Sequence, residues 1–141
     1  MSIKQIGKYN IPTTGDVAKF KRTMPIILAN TAKNHFLLGF RKGGKQTDKS
    51  RGGWRPRKSG SQRNRGRAIL VDTSALKHDI DKRRTTFSRT VVGTSSSVPY
   101  AVYHNEGTKN TVQREIIGDS KVLEKKMEAK INKKITAMFK F

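Results

Sequence analysis

Between Asp16 and about Gly39, apolar residues recur at three- and four-residue steps: Val17, Phe20, Met24, Ile27, Leu28, Ala32 and Phe36. That spacing predicts one face of an α-helix. Thr13 or Thr14 can cap it, Asp16 suits its first turn, and Pro25 predicts either a kink or two helices meeting there. A second such stripe, Val122, Leu123, Met127, Ile131, Ile135 and Met138, predicts a helix over 120–139, with Ser120 as cap and lysines on its outer faces. Between the helices the period shortens. Leu76, His78 and Ile80 alternate with Lys77, Asp79 and Asp81, which predicts a half-buried strand from Leu76 to Lys82. A second strand is predicted from Thr85 to Val92 beyond a turn at Arg83-Arg84, and a third from Val112 to Ile117.

Other stretches carry no period. Residues 1–15 hold Gly7, Pro12 and Gly15 and are expected to form an arm. The segment 40–67 is an expected flexible, extended basic loop in which only Trp54 can anchor a core. It carries Arg41, Lys42, Lys45, Lys49, Arg51, Arg55, Arg57, Lys58, Arg63, Arg65 and Arg67 against Asp48 alone. Thr94 to Pro99 is a polar loop, and Tyr100 to His104 fits either a helical turn or a short strand. The expected fold is α+β and a single domain over 1–141. It comprises the N-terminal helix, a small, mainly antiparallel sheet of three or four strands, and the long C-terminal helix packed on that sheet.

Charge changes this picture more than any motif. The 31 Lys and Arg against 10 Asp and Glu give +21, and the hydrophobic share is only 33%. Such a chain repels itself unless something negative lies close by, and it must gain part of its burial from partners. No Cys is present, which rules out thiolate metal sites and fits a reducing cytoplasm. No stretch approaches the length of a membrane span, so no membrane partner and no export signal are expected.

Catalysis finds little footing. His35, His78 and His104 fall on different elements, with no paired spacing for zinc. On a strand, Asp79 and Asp81 would face away from His78. His104-Asn105-Glu106 offers a metal nuclease too few converging carboxylates. No enzyme, cofactor or metal is expected. The basic loop keeps two readings: contact with nucleic-acid phosphates, with Trp54 stacking or anchoring, or a solvated charge run that meets acidic neighbours. Any DNA contact would be to backbone, because nothing in the chain suggests a major-groove helix.

Four pieces in order carry a resemblance. They are Trp54-Arg55-Pro56, the run from Ile69 to Leu76 with Asp72 and Thr73, Val92-Gly93 followed by Tyr100 to Thr108, and Val112 to Ser120 with Arg114 and Gly118. Together they resemble the Mu-like phage virion morphogenesis family, the tail-completion or neck proteins of tailed phages. Ser74, Val112 and Ile116 stand where that family usually has Gly, Pro and Phe. The resemblance implies a structural corner at Tyr100, Ala101, His104, Gly107 and Thr108, helical and ending at Gly107. We expect Arg114 to brace it through Glu106. It also implies a virion protein, made in the host cytoplasm, that forms a ring of six, or alternatively twelve, copies among neck, connector and tail proteins and lets DNA pass. The competing expectation is a basic nucleic-acid-binding structural protein without sequence specificity.

Overall fold

The computed structural model describes residues 11–57, 68–71, 74–83, 85–87, 92–93 and 95–139. Its backbone is α1, Thr14–Lys42, a single helix that runs without interruption through Pro25. Thr13 caps it in a reciprocal box: its hydroxyl accepts from the Asp16 amide at 3.2 Å, and the Asp16 carboxylate accepts from the Thr13 amide at 2.9 Å. Gly43 ends it in the left-handed conformation, φ 65°, where a glycine meets no Cβ penalty. Met24, Ala29, Ala32, His35, Phe36, Gly39 and Phe40 are its buried residues, whereas Val17 in the first turn is exposed.

The expected sheet is not there. Leu76 to Lys82 lies in a helix, α2 (Ala75–Lys82), and not in a strand. Leu76 and Ile80 satisfy a two-residue period and a four-residue step equally. The residue that separates the two is His78, which is exposed, while Leu76 and Ile80 are buried. The stretch read as one strand from Thr85 to Val92 is instead folded back on itself. β1 (Thr86–Phe87) pairs antiparallel with β2 (Val92–Gly93), Thr86 opposite Gly93 and Phe87 opposite Val92. This two-residue pairing is the whole of the sheet among the described residues. Val112 to Ile117 is irregular, its composition notwithstanding, and a side chain takes up the amides of Ile116 and Ile117.

The Tyr100 region is the helical turn, α3 (Ala101–Glu106), closed by Gly107. Finally α4 (Lys121–Phe139) packs along α1, not on a sheet. Leu123 meets Ala32 and Phe36, with Ile117 and Met127 beside them. A second cluster, Phe40, Trp54, Leu76, Ile80 and Ile116, joins the end of α1 to α2 and to the segment before α4. The architecture is thus helical, with α2, the small hairpin and α4 all resting on α1. Among the described residues no helix is long and apolar enough to cross a membrane.

Candidate functional site

Arg41 and Lys42 belong to the last turn of α1, where cations complement the helix dipole, and not to a loop. Beyond them the basic segment is far from unanchored, and the expectation of a flexible loop does not hold for its described part. Gly43 and Gly44, both at positive φ, reverse the chain, and Trp54 returns across them. A Cβ on Gly44 would collide with the indole ring, so only glycine lets the ring lie this close. The Trp54 amide donates to the Gly43 carbonyl at 2.6 Å, its indole N–H donates to the Glu115 carbonyl at 2.9 Å, and its ring meets Phe40 edge-on at 5.6 Å.

Asp48, the lone carboxylate of this run, is the second anchor. One of its oxygens accepts from the Lys121 amide at 3.2 Å, at the start of α4, and the other accepts from Arg51 at 3.2 Å. Its own amide donates to the Asp119 carbonyl at 2.7 Å. Gln46 and Thr47 are buried as well. Lys49 sits 3.7 Å from the buried Glu115 carboxylate, and Arg57 donates to the Ala68 carbonyl at 2.7 Å. Lys45 and Arg55 are exposed. Lys58, Arg63, Arg65 and Arg67 lie outside the described residues, as do Asp72 and Thr73.

The corner is built from α3 and the chain that follows it. Gly107 has φ 78°, and a Cβ there would stand 2.9 Å from Cβ of Gln113. Thr108 and Thr111 exchange backbone bonds, and the Arg114 amide donates to the His104 carbonyl at 2.7 Å. Arg114 does brace this corner, though not through Glu106. Its guanidinium donates to the carbonyls of Arg55 at 3.0 Å and Pro56 at 3.2 Å, tying the corner to the Trp-x-Pro element. Gly118 lies against Glu115, whose carboxylate a Cβ would overlap. Gly93 lies in β2, opposite Thr86.

The residue that sequence reasoning missed is Asn105. Its side-chain oxygen accepts from the amides of Ile116 at 2.8 Å and Ile117 at 2.9 Å. Only its place inside the Tyr100–Thr108 motif marked it.

Between the turn segment and the corner lies an open cleft of about 530 Å³, lined by Lys49, Gly53 and Arg55 on one side and by Glu106, Gly107, Thr108 and Gln113 on the other. Two groups of sequence candidates thus face each other, with cations on one wall and a carboxylate on the other. No group of three or more His, Cys, Asp or Glu that could hold a metal occurs among the described residues. Asp79 accepts from the Ser96 hydroxyl and the Ser97 amide, both at 2.7 Å, and from the Ser97 hydroxyl at 2.9 Å. These bonds hold its carboxyl down at about 2.

No known family model, curated protein or solved structure matches the chain.

Two histidines give the scaffold a pH dependence. The His35 Nε2 donates to the Gln46 carbonyl at 2.8 Å and lies 3.0 Å from the Ser120 hydroxyl, which caps α4 through the Leu123 amide. Its Nδ1 faces the Lys126 ammonium at 3.4 Å, so that nitrogen accepts and the ring is neutral. Burial lowers its pKa most; the bond to Gln46 works the other way, and Lys126 and Lys42 lower it further. Burial and Arg114 lower that of His104 as well. Lowered folded values mean that the unfolded chain binds protons first. Stability is therefore full above about pH 6.5 and falls as pH drops below it, until the folded values are passed. We expect melting temperature to decline between pH 7 and pH 5, with a flatter decline in a His35→Gln, His104→Gln double variant; equal slopes would contradict this. The Asp79 contribution is lost separately, between 3.8 and about 2.

Proposed function

We propose that this chain is a structural subunit of a tailed-phage virion, of the tail-completion or neck kind, which assembles into a ring at the head–tail junction through which DNA passes. What carries the reading is that residues from each of the four pieces of the resemblance, which spread over half the chain, pack around Trp54, Val92-Gly93 excepted. Trp54, Leu76 and Ile116 share one cluster, Arg114 binds the carbonyls of Arg55 and Pro56, and Asn105 of the corner holds Ile116 and Ile117. Two of the three departures fit as well. Ser74 adopts φ 61°, a left-handed conformation that glycine takes most readily, and Ile116 fills a buried apolar position where the family usually has Phe.

Assembly is supported by what this unit leaves outside. Tyr100, Val102 and Tyr103 on the corner helix are 42%, 55% and 56% exposed. They are thus not core residues, and aromatic side chains of this kind are enriched at protein interfaces. The +21 charge would then be answered by DNA or by acidic neighbours. A Val102→Ser, Tyr103→Ser variant should keep the wild-type circular dichroism spectrum and melting temperature yet lose ring formation in sedimentation at concentrations where the wild type forms rings. Unchanged rings would remove this surface from the assembly.

The second reading, a nucleic-acid-binding structural protein without sequence specificity, draws on the same charge but gives no role to the exposed corner aromatics.

A further inference from the structure

We propose that the lysine flank of α4, formed by Lys130, Lys133 and Lys134, contacts the phosphate backbone of duplex DNA. The basic segment after α1 is the denser candidate by composition, but three of its described charges already have partners within the chain. Arg51 is held by Asp48, Lys49 lies beside Glu115, and Arg57 donates to Ala68. Lys130, Lys133 and Lys134, by contrast, are exposed and make no hydrogen bond or ion pair among the described residues.

Their placement also opposes local helix stability. On a helix the neighbours of Lys130 at three and four residues are Lys126, Met127, Lys133 and Lys134, so three of the four repel it. Glu124 and Glu128 stand beside Lys121 and Lys125 and leave this flank without an acid. Asp16 of α1 shares a groove with Lys134 and Lys19, but its carboxylate is already engaged by Thr13. A like-charge ladder that the fold does not compensate calls for an outside anion.

The chemistry favours phosphate over an acidic protein. Protein interfaces are depleted in Lys and enriched in aromatic residues and Arg, and this flank is lysine without an aromatic. Lys130 and Lys134 lie about 6 Å apart along the axis, and duplex DNA presents about one charge per 1.7 Å, so phosphates are met in any register. Flexible point charges suit backbone contact without sequence readout. The inference deepens the DNA-contact part of the functional reading and does not depend on ring formation.

The test is the salt dependence of binding to a short duplex of arbitrary sequence, read by fluorescence anisotropy, with fold checked by circular dichroism. The Lys130→Gln, Lys133→Gln, Lys134→Gln variant should lower the magnitude of the slope of log affinity against log salt by about 2.7, at about 0.9 per phosphate contact. The Lys49→Gln, Arg51→Gln, Arg57→Gln variant should lower it by less than about 1. A wild-type slope in the helix variant, a loop variant that loses as much, or a wild-type protein that binds polyglutamate and not duplex would each overturn the proposal. Sedimentation of the same proteins without DNA scores assembly separately, so absent rings would count against the virion-subunit reading and leave the DNA result to be judged by the slopes.

Discussion

Trp54→Ala should destabilise the folded state more than either Trp54→Phe or Asn105→Ala. The indole is 7% exposed, packs edge-on against Phe40 and lies over Gly44, where a void cannot be refilled from the glycine side. Removing a buried Trp costs about 3–5 kcal/mol through lost transfer energy and the cavity left behind. That is a large part of the roughly 5–15 kcal/mol by which domains are usually stable. The loss would spread, because the same ring places the Glu115 carbonyl and fixes the segment from which Arg55 and Pro56 receive Arg114. Trp54→Phe should cost less, since an aromatic ring remains and the principal loss is the bond to Glu115. Thermal unfolding followed by far-ultraviolet circular dichroism checks both variants. In the wild type the lone tryptophan reports the same transition by fluorescence. A Trp54→Ala protein that melts within a few degrees of wild type would show that the segment after α1 is not anchored as described.

Asn105→Ala is the next most damaging change. One side-chain oxygen serves two partly buried amides, Ile116 at 2.8 Å and Ile117 at 2.9 Å, and alanine leaves both without an acceptor. At about 1–3 kcal/mol for each unsatisfied donor, the combined cost is roughly 2–4 kcal/mol once some water reaches them. Asn105→Asp keeps the acceptor geometry, so it should recover most of the loss. Amide hydrogen exchange gives the local readout: the Ile116 and Ile117 amides should lose protection in Asn105→Ala and retain it in Asn105→Asp. Protection unchanged in the alanine variant would mean that these amides are held by something other than the side chain.

The contrast between α1 and α2 shows where local pattern is informative. Helices α1 and α4 are long, repeat their apolar step several times and carry side-chain caps at Thr13 and Ser120, so the period and the end signals agree. Eight residues of α2 hold two buried positions, Leu76 and Ile80, and two positions four apart fit a strand as well as a helix. Val112 to Ile117 misleads for a different reason. Its apolar composition is real and Ile116 is buried, but Asn105 takes the amides of residues 116 and 117, and nothing local to the segment signals that.

The basic segment hid its order behind its charge. Trp54 and Asp48 are its strong anchors by residue type, and with Gly43 and Gly44 they help fix residues 43–57, which His35 and Arg114 also hold through the carbonyls of Gln46, Arg55 and Pro56. Of the candidate contacts, Arg51, Lys49 and Arg57 have partners within the chain, while Lys130, Lys133 and Lys134 of α4, which the sequence marked only as an outer face, are exposed and have none among the described residues. Arg114 is expected from the sequence to pair with Glu106, but its partners are carbonyls 59 and 58 residues upstream, which no spacing rule could supply.

The virion reading is tested most directly by locating the chain in purified phage particles with a gold-labelled antibody. The account predicts label at the head–tail junction, on intact particles, at one position per virion. Label absent from particles, with the protein recovered instead on cellular nucleic acid, would contradict it.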